Sequence, residues 1–325
     1  MSYLLSCKLE IGSYSLQYAK QVRISQSLGE SAKCVIQLPH QALLKPVQNP
    51  TQAEKVSLEK TLSTGMPVRA YLGYNGTNTL QFSGYINTIK PNQLLEIGCE
   101  DGFYKLKRSE KINTVFNGSL QAMLKQYLPQ ATQHQAVPNV TLTNFVVQQA
   151  TQAELLAKLS EAYGLSAYFV EADKLYVGLP HLDTTGRRCL FHFQRNIVSS
   201  QLIYNKADDV RIQAKAISLL RDNTTLDVQV GDKEGEQRTL HFYEIRDKAQ
   251  LTKFAENTLS QLKFEGYRGS FTAFGWPEVA LGDVVVLYDR RYAERQGQSY
   301  LIENIEKEWG DNGYRQTITL SNKLQ

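Results

Sequence analysis

The side chains best able to do chemistry fall in one short run, His181, Cys189 and His192. Imidazole and thiolate are the common zinc ligands, so the run raises a metal centre. Its spacing fits no common zinc pattern, no second cysteine pair accompanies it, and it spans a loop and a strand. The expectation is ordinary strand and loop residues, with no metal. His40, His134 and His241 stand alone. The acidic pairs Asp208–Asp209 and Glu306/Glu308 raise glycoside hydrolysis, which needs two carboxylates facing across a cleft. Adjacent or alternating acids on turns and strands are more simply solvated faces. No G-x-S-x-G elbow with a Ser-His-Asp order exists. Residues 231–236 (GDKEGE) read as a hairpin turn and not as a phosphate-cradling loop. Tyr163, Tyr168, Phe169 and Tyr176 could stack a sugar or a base, yet their strand-like spacing points to core packing. The chain is therefore expected not to be an enzyme. No catalytic, cofactor-binding or metal-binding residue is assigned, and no cofactor is expected.

Composition narrows the function classes further. The length of 325 residues allows two or three domains, and 42% hydrophobic with 21% charged residues is ordinary for a globular protein. Eighteen Tyr and twelve Phe favour strands. A net charge of +4, with no run of five like charges, argues against a dedicated nucleic-acid binder. No apolar stretch is long enough to span a bilayer as a helix. The N-terminus, MSYLLSCKLEIG, shows no signal-peptide pattern, so export by that route is not expected. Cys7, Cys34, Cys99 and Cys189 are widely spaced without a CxxC pair, which predicts reduced core thiols.

The elements that would position these residues are mostly strands. LLSCKLEIG, YAKQVRISQS and AKCVIQLP alternate apolar and polar residues. His40 to Gly65, broken by Pro46 and Pro50, reads as a long loop with one short helix. The middle of the chain changes character. Ser119 to Leu128 reads as a helix stopped by Pro129, and Gln130 to Asn139 as a polar linker. Thr151 and Glu154 form a capping box ahead of Leu155, Leu156, Leu159 and Tyr163, with Gly164 as a C-terminal cap. Two strands around Ala172-Asp173 follow. From about residue 197 the pattern returns to β, with a helix opening at Asp247 on a face of Leu251, Phe254, Thr258, Leu259 and Leu262. The expected fold is mainly β with an α+β middle: residues 1–108 a β domain with a loop at 40–65, residues 109–196 a small α+β domain, and residues 197–325 a second β domain with a helix at 247–264.

One pattern occurs twice. GMPVRAYLGY, FSGYINTI and LLEIGCED between Gly65 and Asp101 mirror GDVVVLYD, SYLIENIEKEW and YRQTITLSN between Gly282 and Asn322. Val68, Ala70 and Leu72 align with Val284, Val286 and Tyr288, and Ile86 and Ile89 with Ile302 and Ile305. The loop at 40–65 and the helix at 247 are expected to occupy the same slot in each copy. Duplicated β units point to pseudo-symmetry.

The C-terminal run carries a resemblance. Gly282 and Asp283 opening a strand, then Tyr300 and Ile302, then Gly313, Arg315, Gln316 and Leu320, resemble the signature of phage tail baseplate hub proteins of the late control protein D family. The segment ELLAKLSEAYGLSAYFVEADKLYVG is similar to that family's helix and strand segment, and the resemblance covers most of the chain. It implies two tail-tube-like β-barrel domains flanking the small α+β domain. It implies a homotrimer whose six quasi-equivalent domains adapt a hexameric tail tube to a trimeric spike. Implied partners are the chain itself, the tail tube protein, baseplate wedge proteins and a separate spike protein, since no spike repeat follows the last strand. DNA or cargo would only pass through the channel, without membrane insertion. The implied location is a virion tail or baseplate, of a phage or a contractile injection system, assembled in the bacterial cytoplasm. A peripheral baseplate protein or a host-receptor or carbohydrate-binding tail protein is the alternative, and it would carry an exposed aromatic groove.

Overall fold

The computed structural model describes residues 4–46, 54–129, 131–133, 141–163, 165–171, 174–178, 186–206, 211–220, 224–243, 245–263 and 265–324. His181, Asp208, Asp209, His134, Gly164 and the Ala172-Asp173 turn lie outside these residues.

The N-terminal unit consists of β1 (Leu5–Ile11), β2 (Tyr14–Leu16), β3 (Gln21–Ser27), β4 (Lys33–Leu38), β5 (Gln41–Pro46), β6 (Glu54–Ser57), α1 (Leu58–Thr61), β7 (Pro67–Tyr74), β8 (Thr77–Pro91) and β9 (Leu95–Glu100). Strand alternation sends one side chain in two inward. Leu9 and Ile11, Val22 and Ile24, Ile36 and Leu38, Val68 and Leu72, and Leu95 and Ile97 meet in one core. The expected loop at 40–65 is partly a ladder: β5 pairs with β6, and β2 joins β5 to β1. Leu44 of β5 and Leu58 of α1 anchor these described parts in the core.

The middle unit consists of α2 (Phe103–Leu106), β10 (Ile112–Ser119), α3 (Leu120–Tyr127), β11 (Ala131–Gln133), β12 (Thr141–Ala150), α4 (Gln152–Tyr163), β13 (Ser166–Glu171) and β14 (Lys174–Gly178). Its core begins at Phe103 and Leu106, ahead of residue 109, because α2 turns its apolar side to α4 and β13. The capping box forms as read: the Glu154 carboxylate accepts from the Thr151 N–H at 2.6 Å, and the Thr151 hydroxyl accepts from the Glu154 N–H at 3.2 Å. Ser119 caps α3. Part of the expected linker is a strand, since β11 adds in parallel to β14.

The C-terminal unit consists of β15 (Arg188–His192), β16 (Ile197–Ser200), β17 (Ile203–Asn205), β18 (Ile212–Leu219), β19 (Thr225–Gly231), β20 (Glu236–Tyr243), α5 (Lys248–Leu262), β21 (Gly266–Arg268), β22 (Ser270–Phe274), β23 (Val284–Tyr288), β24 (Gln298–Gly310) and β25 (Gly313–Leu324). It starts by Arg188 and not at 197, because β15 pairs in parallel with β23. Within it, β18, β19 and β20 make a separate sheet covered by α5, with Ala216, Val228, Leu251 and Ala255 between them. The helix opens at Asp247 as expected, and the Asp247 carboxylate caps it by accepting from the Ala249 N–H. The buried face is Leu251, Ala255 and Leu259, while Phe254 stays 44% exposed. The turn at 231–236 does not close a hairpin: β19 and β20 flank β18 from opposite sides, so the chain crosses the end of β18 there.

The two β units share one strand plan. In the first, β1, β3, β4, β7, β8 and β9 follow in sequence, with contacts β1–β7, β7–β8, β8–β9, β9–β4 and β4–β3. In the second, β15, β16, β22, β23, β24 and β25 repeat the same contacts in the same order. The first contact alone differs in sense, antiparallel for β1–β7 and parallel for β15–β23. Gly65 and Gly282 open the fourth strand of each copy with φ of 86° and 91°, a region a side chain would strain. Each copy also carries a bulge at the same point, between Ile86 and Thr88 and between Ile302 and Asn304.

This bulge fixes the alignment and corrects two expectations. Ile86 and Ile89 do correspond to Ile302 and Ile305. Val68, opposite Gly84, corresponds to Val285, opposite Tyr300, so the alignment of the fourth strands is off by one residue. In a strand that slip exchanges the faces. It was hidden because Val284 and Val286 are buried too, in a second small cluster with Leu301. The loop at 40–65 and α5 also occupy different slots. The former lies between the third and fourth strands of its unit. The latter belongs to an insertion between the second and third strands, where β16–β17 runs against β21–β22.

Candidate assembly interface

The two β units are welded through their backbones. β24 pairs antiparallel with β3, from Asn304 opposite Ser27 to Gly310 opposite Gln21, so both units belong to one 15-stranded sheet. The weld exists because β24 is 13 residues long while β23 covers only Gln298 to Leu301 of it, leaving the rest of that edge to β3. Side chains follow the backbone across. Trp309 and Tyr314 enter the core of the N-terminal unit, and Leu28 packs on the core of the C-terminal unit. The Tyr74 hydroxyl donates to the Tyr314 carbonyl at 3.1 Å, and Gln21 donates to Glu308 at 2.5 Å. Lys20 pairs with Asp311, and Thr79 donates to Glu278.

A buried lysine lies beside this joint. Lys307 is 4% exposed, and its ammonium donates to Gln81 Oε1 of β8 at 2.6 Å and to the Val279 carbonyl at 2.7 Å. Burial drives its pKa down from 10.5 to about 8, against the opposing pull of the Glu278 and Asp283 carboxylates. Next to it on β25, fully buried Gln316 donates to the Phe274 and Pro277 carbonyls and holds the segment leading to β23. Asp283 accepts from the Arg187 guanidinium at 2.9 Å and the Ala280 N–H at 2.9 Å, fixing the Gly-Asp turn. These groups fasten strands together, and none combines a nucleophile with a base.

The residues singled out for chemistry are dispersed. Cys189 is buried with its thiol 3.6 Å from the Glu278 carbonyl, and burial pushes that thiol up to about 11. His192 points the other way from the same strand and stacks on Tyr288 at 4.8 Å. Burial, then Arg195 and Arg290, lowers its pKa. Cys7, Cys34 and Cys99 are buried free thiols as well. Glu306 and Glu308 lie along β24, where Glu308 serves the joint through Gln21. The rings of Tyr168 and Tyr176 lie tilted 4.8 Å apart and pack in the C-terminal core, while Phe169 meets Phe103 edge-on. The side chains of Tyr163 and His241 lie outside the described residues. Among the described residues no group of three His, Cys, Asp or Glu side chains could hold a metal ion. No helix among them is long and apolar enough to cross a membrane.

Sequence reasoning overlooked the joint, although one signal was present. Ile305, Lys307 and Trp309 occupy successive inward positions, as do Tyr314, Gln316 and Ile318. A lysine and a glutamine on inward faces of long strands mark polar contacts that must be satisfied inside.

One hollow of about 880 Å³ opens beside the joint, lined by Tyr74, Thr79, Phe274, Trp276, Glu278 and Arg315, among others. Trp276 is 67% exposed there.

No protein-family model matches the chain, and no curated protein matches it by sequence. Solved structures do match in fold. A tail protein from Neisseria meningitidis MC58 superposes with a TM-score of 0.68 at 13% identity, over 99% of this chain and 97% of that one. The 43 kDa tail protein of prophage MuSo2 from Shewanella oneidensis gives 0.63 at 14% identity, over 98% of both chains. The E. coli c3393 protein, a component of the type VI secretion system structurally similar to T4 bacteriophage tail proteins gp27 and gp5, gives 0.57 at 11% identity, over 98% of this chain and 77% of that one. The doubled β unit with its α+β middle is therefore the fold found in phage tail proteins, from one end of the chain to the other.

Proposed function

We propose that this chain is a structural hub of a phage tail or a phage-like contractile injection baseplate, working without enzymatic activity. Three copies form a ring that adapts a hexameric tail tube to a trimeric spike. The observation carrying this reading is the duplicated strand plan joined in one sheet. A threefold object can offer six matching contacts only if each chain supplies two similar surfaces. The tail tube protein, a separate spike protein and baseplate wedge proteins are the partners this implies, with DNA or cargo passing through the opening. The likeness to a type VI secretion component supports the injection-machine side of the proposal.

Mass measurement of the purified chain tests it. The expected particle has three times the 36.8 kDa chain mass and shows a central opening by negative-stain imaging. A species that stays monomeric at every concentration, alone and with tail tube protein, refutes the ring. The hollow around Trp276 favours one second reading, a receptor- or carbohydrate-binding tail protein. Glycan binding that is lost in Trp276→Ala, by a chain that forms no ring, would select it.

A further inference from the structure

The internal joint has a counterpart that one chain cannot complete. β24 gives its late edge, from Asn304 onward, to β3. The equivalent strand of the first unit, β8, has the same bulge, so Thr88 to Pro91 stand where Asn304 to Lys307 stand. On the side away from β9 no described strand pairs with this stretch, and Thr88, Lys90 and Pro91 are exposed. The same alignment locates the equivalent of β3. Val22 opposes Ile36, and Ser200 opposes Phe271, where Ile36 and Phe271 oppose the equivalent residues Ile97 and Ile318. Ser200 thus matches Val22, and Leu202 to Asn205 match Ile24 to Ser27. That stretch contains β17, which is bonded to β21 on one side and to no described strand on the other. Its outward residue Ile203 is 67% exposed, an unusual choice for an unprotected edge.

We infer that Leu202–Asn205 of a second copy of this chain pairs antiparallel with Thr88–Pro91, reproducing between chains the weld that β24 and β3 make within one. Taking a second copy as the occupant rests on the ring reading above; the choice of edges rests on the repeat. The two edges differ from each other, so the contact is head-to-tail and propagates around a ring. It is also the weaker seam. The internal weld runs from Gln21 to Ser27, whereas β8 ends at Pro91 and its turn leads straight into β9. Pro91 stands in the place of Lys307 and offers no N–H to a neighbour. The ring therefore opens between chains and not between the units of one chain.

The test is a cysteine pair, Lys90→Cys with Ile203→Cys. By the repeat these residues stand where Glu306 and Ser25 face each other across the internal weld, close enough for a disulfide if the strands pair. All four native thiols are buried and do not compete. Mild oxidation of the full chain is expected to remove the monomer band on a non-reducing gel in favour of covalent oligomers that a reductant returns to monomer. Neither single variant does this, nor does Lys90→Cys combined with Thr225→Cys on the outer edge of β19. A ring of the expected mass without cross-linking overturns the edge pairing and leaves the ring standing. Absence of both ring and cross-link overturns both, and equal cross-linking in the Thr225 control overturns the pairing as non-specific.

Discussion

Replacing Lys307 by methionine isolates the electrostatics of the internal joint. The ammonium is buried against Gln81 and the Val279 carbonyl, and its pKa falls from 10.5 to about 8. That difference corresponds to about 3 kcal/mol of preference for the neutral amine in the folded chain. The sign follows from proton counting. Between pH 8 and 10.5 the unfolded lysine holds a proton that the folded one has released, so stability rises with pH across this window. Below pH 8 the cost of burying the charge is constant. Deprotonation leaves the amine able to donate to both acceptors, so the gain is not offset by lost hydrogen bonds.

Trp309 reports on this joint directly, since it is buried in the core of the N-terminal unit while its strand belongs to the other. The sequence has two tryptophans, so Trp276→Phe leaves Trp309 as the sole tryptophan, read by excitation at the red edge where tyrosine does not absorb. Urea unfolding of that background and of its Lys307→Met derivative, followed by Trp309 emission from pH 7 to 10.5, gives the difference that matters. Titration of other lysines and tyrosines is common to both chains and cancels. The expected result is that the lysine chain gains about 3 kcal/mol relative to the methionine chain between pH 8 and 10.5. Parallel curves would refute the reasoning, as would a relative loss for the lysine chain.

Three other perturbations probe separate parts of the molecule. Ile305 is fully buried in the C-terminal core, and Ile305→Asp should cost about 4 kcal/mol or more and unfold that unit by circular dichroism. Burial raises the Asp101 carboxyl to about 7 despite N–H donation from Ala32 and Phe103. The folded chain thus binds a proton the unfolded one has lost, and stability should fall by about 4 kcal/mol as pH rises from 4 to 7, a slope that Asp101→Asn removes in thermal melts. Glu154→Ala breaks the capping box of α4 and should cost about 1 kcal/mol in urea unfolding while leaving the sheet unchanged.

Local rules carried the sequence reading where a residue's partners are close in the chain. The Thr151–Glu154 box, the helix starts at Ser119 and Asp247 and the strand alternation are read by neighbours a few positions away, and they formed as read. The weld is another kind of fact. Ser25 and Glu306 are far apart in sequence, and nothing near either says that they face each other. The fourth-strand alignment failed for a related reason: β23 is buried on both faces, so its apolar residues carry no alternation to set the register. The bulge supplied what composition lacked, because an extra residue at the same point in two ladders admits a single alignment. That alignment turns Lys307 from an oddity into a statement about specificity. In the equivalent place of the first unit stands Pro91, which can neither donate from its backbone nor bury a charge. Similar strands thus end in unlike edges: one is paired within the chain beside a buried amine, and the other is short and has no described strand against it. A chain built with two identical locks would close on its own edges or on the wrong ones. Under the inferred pairing between chains, this departure from symmetry is what would let the duplicated fold join in one order only.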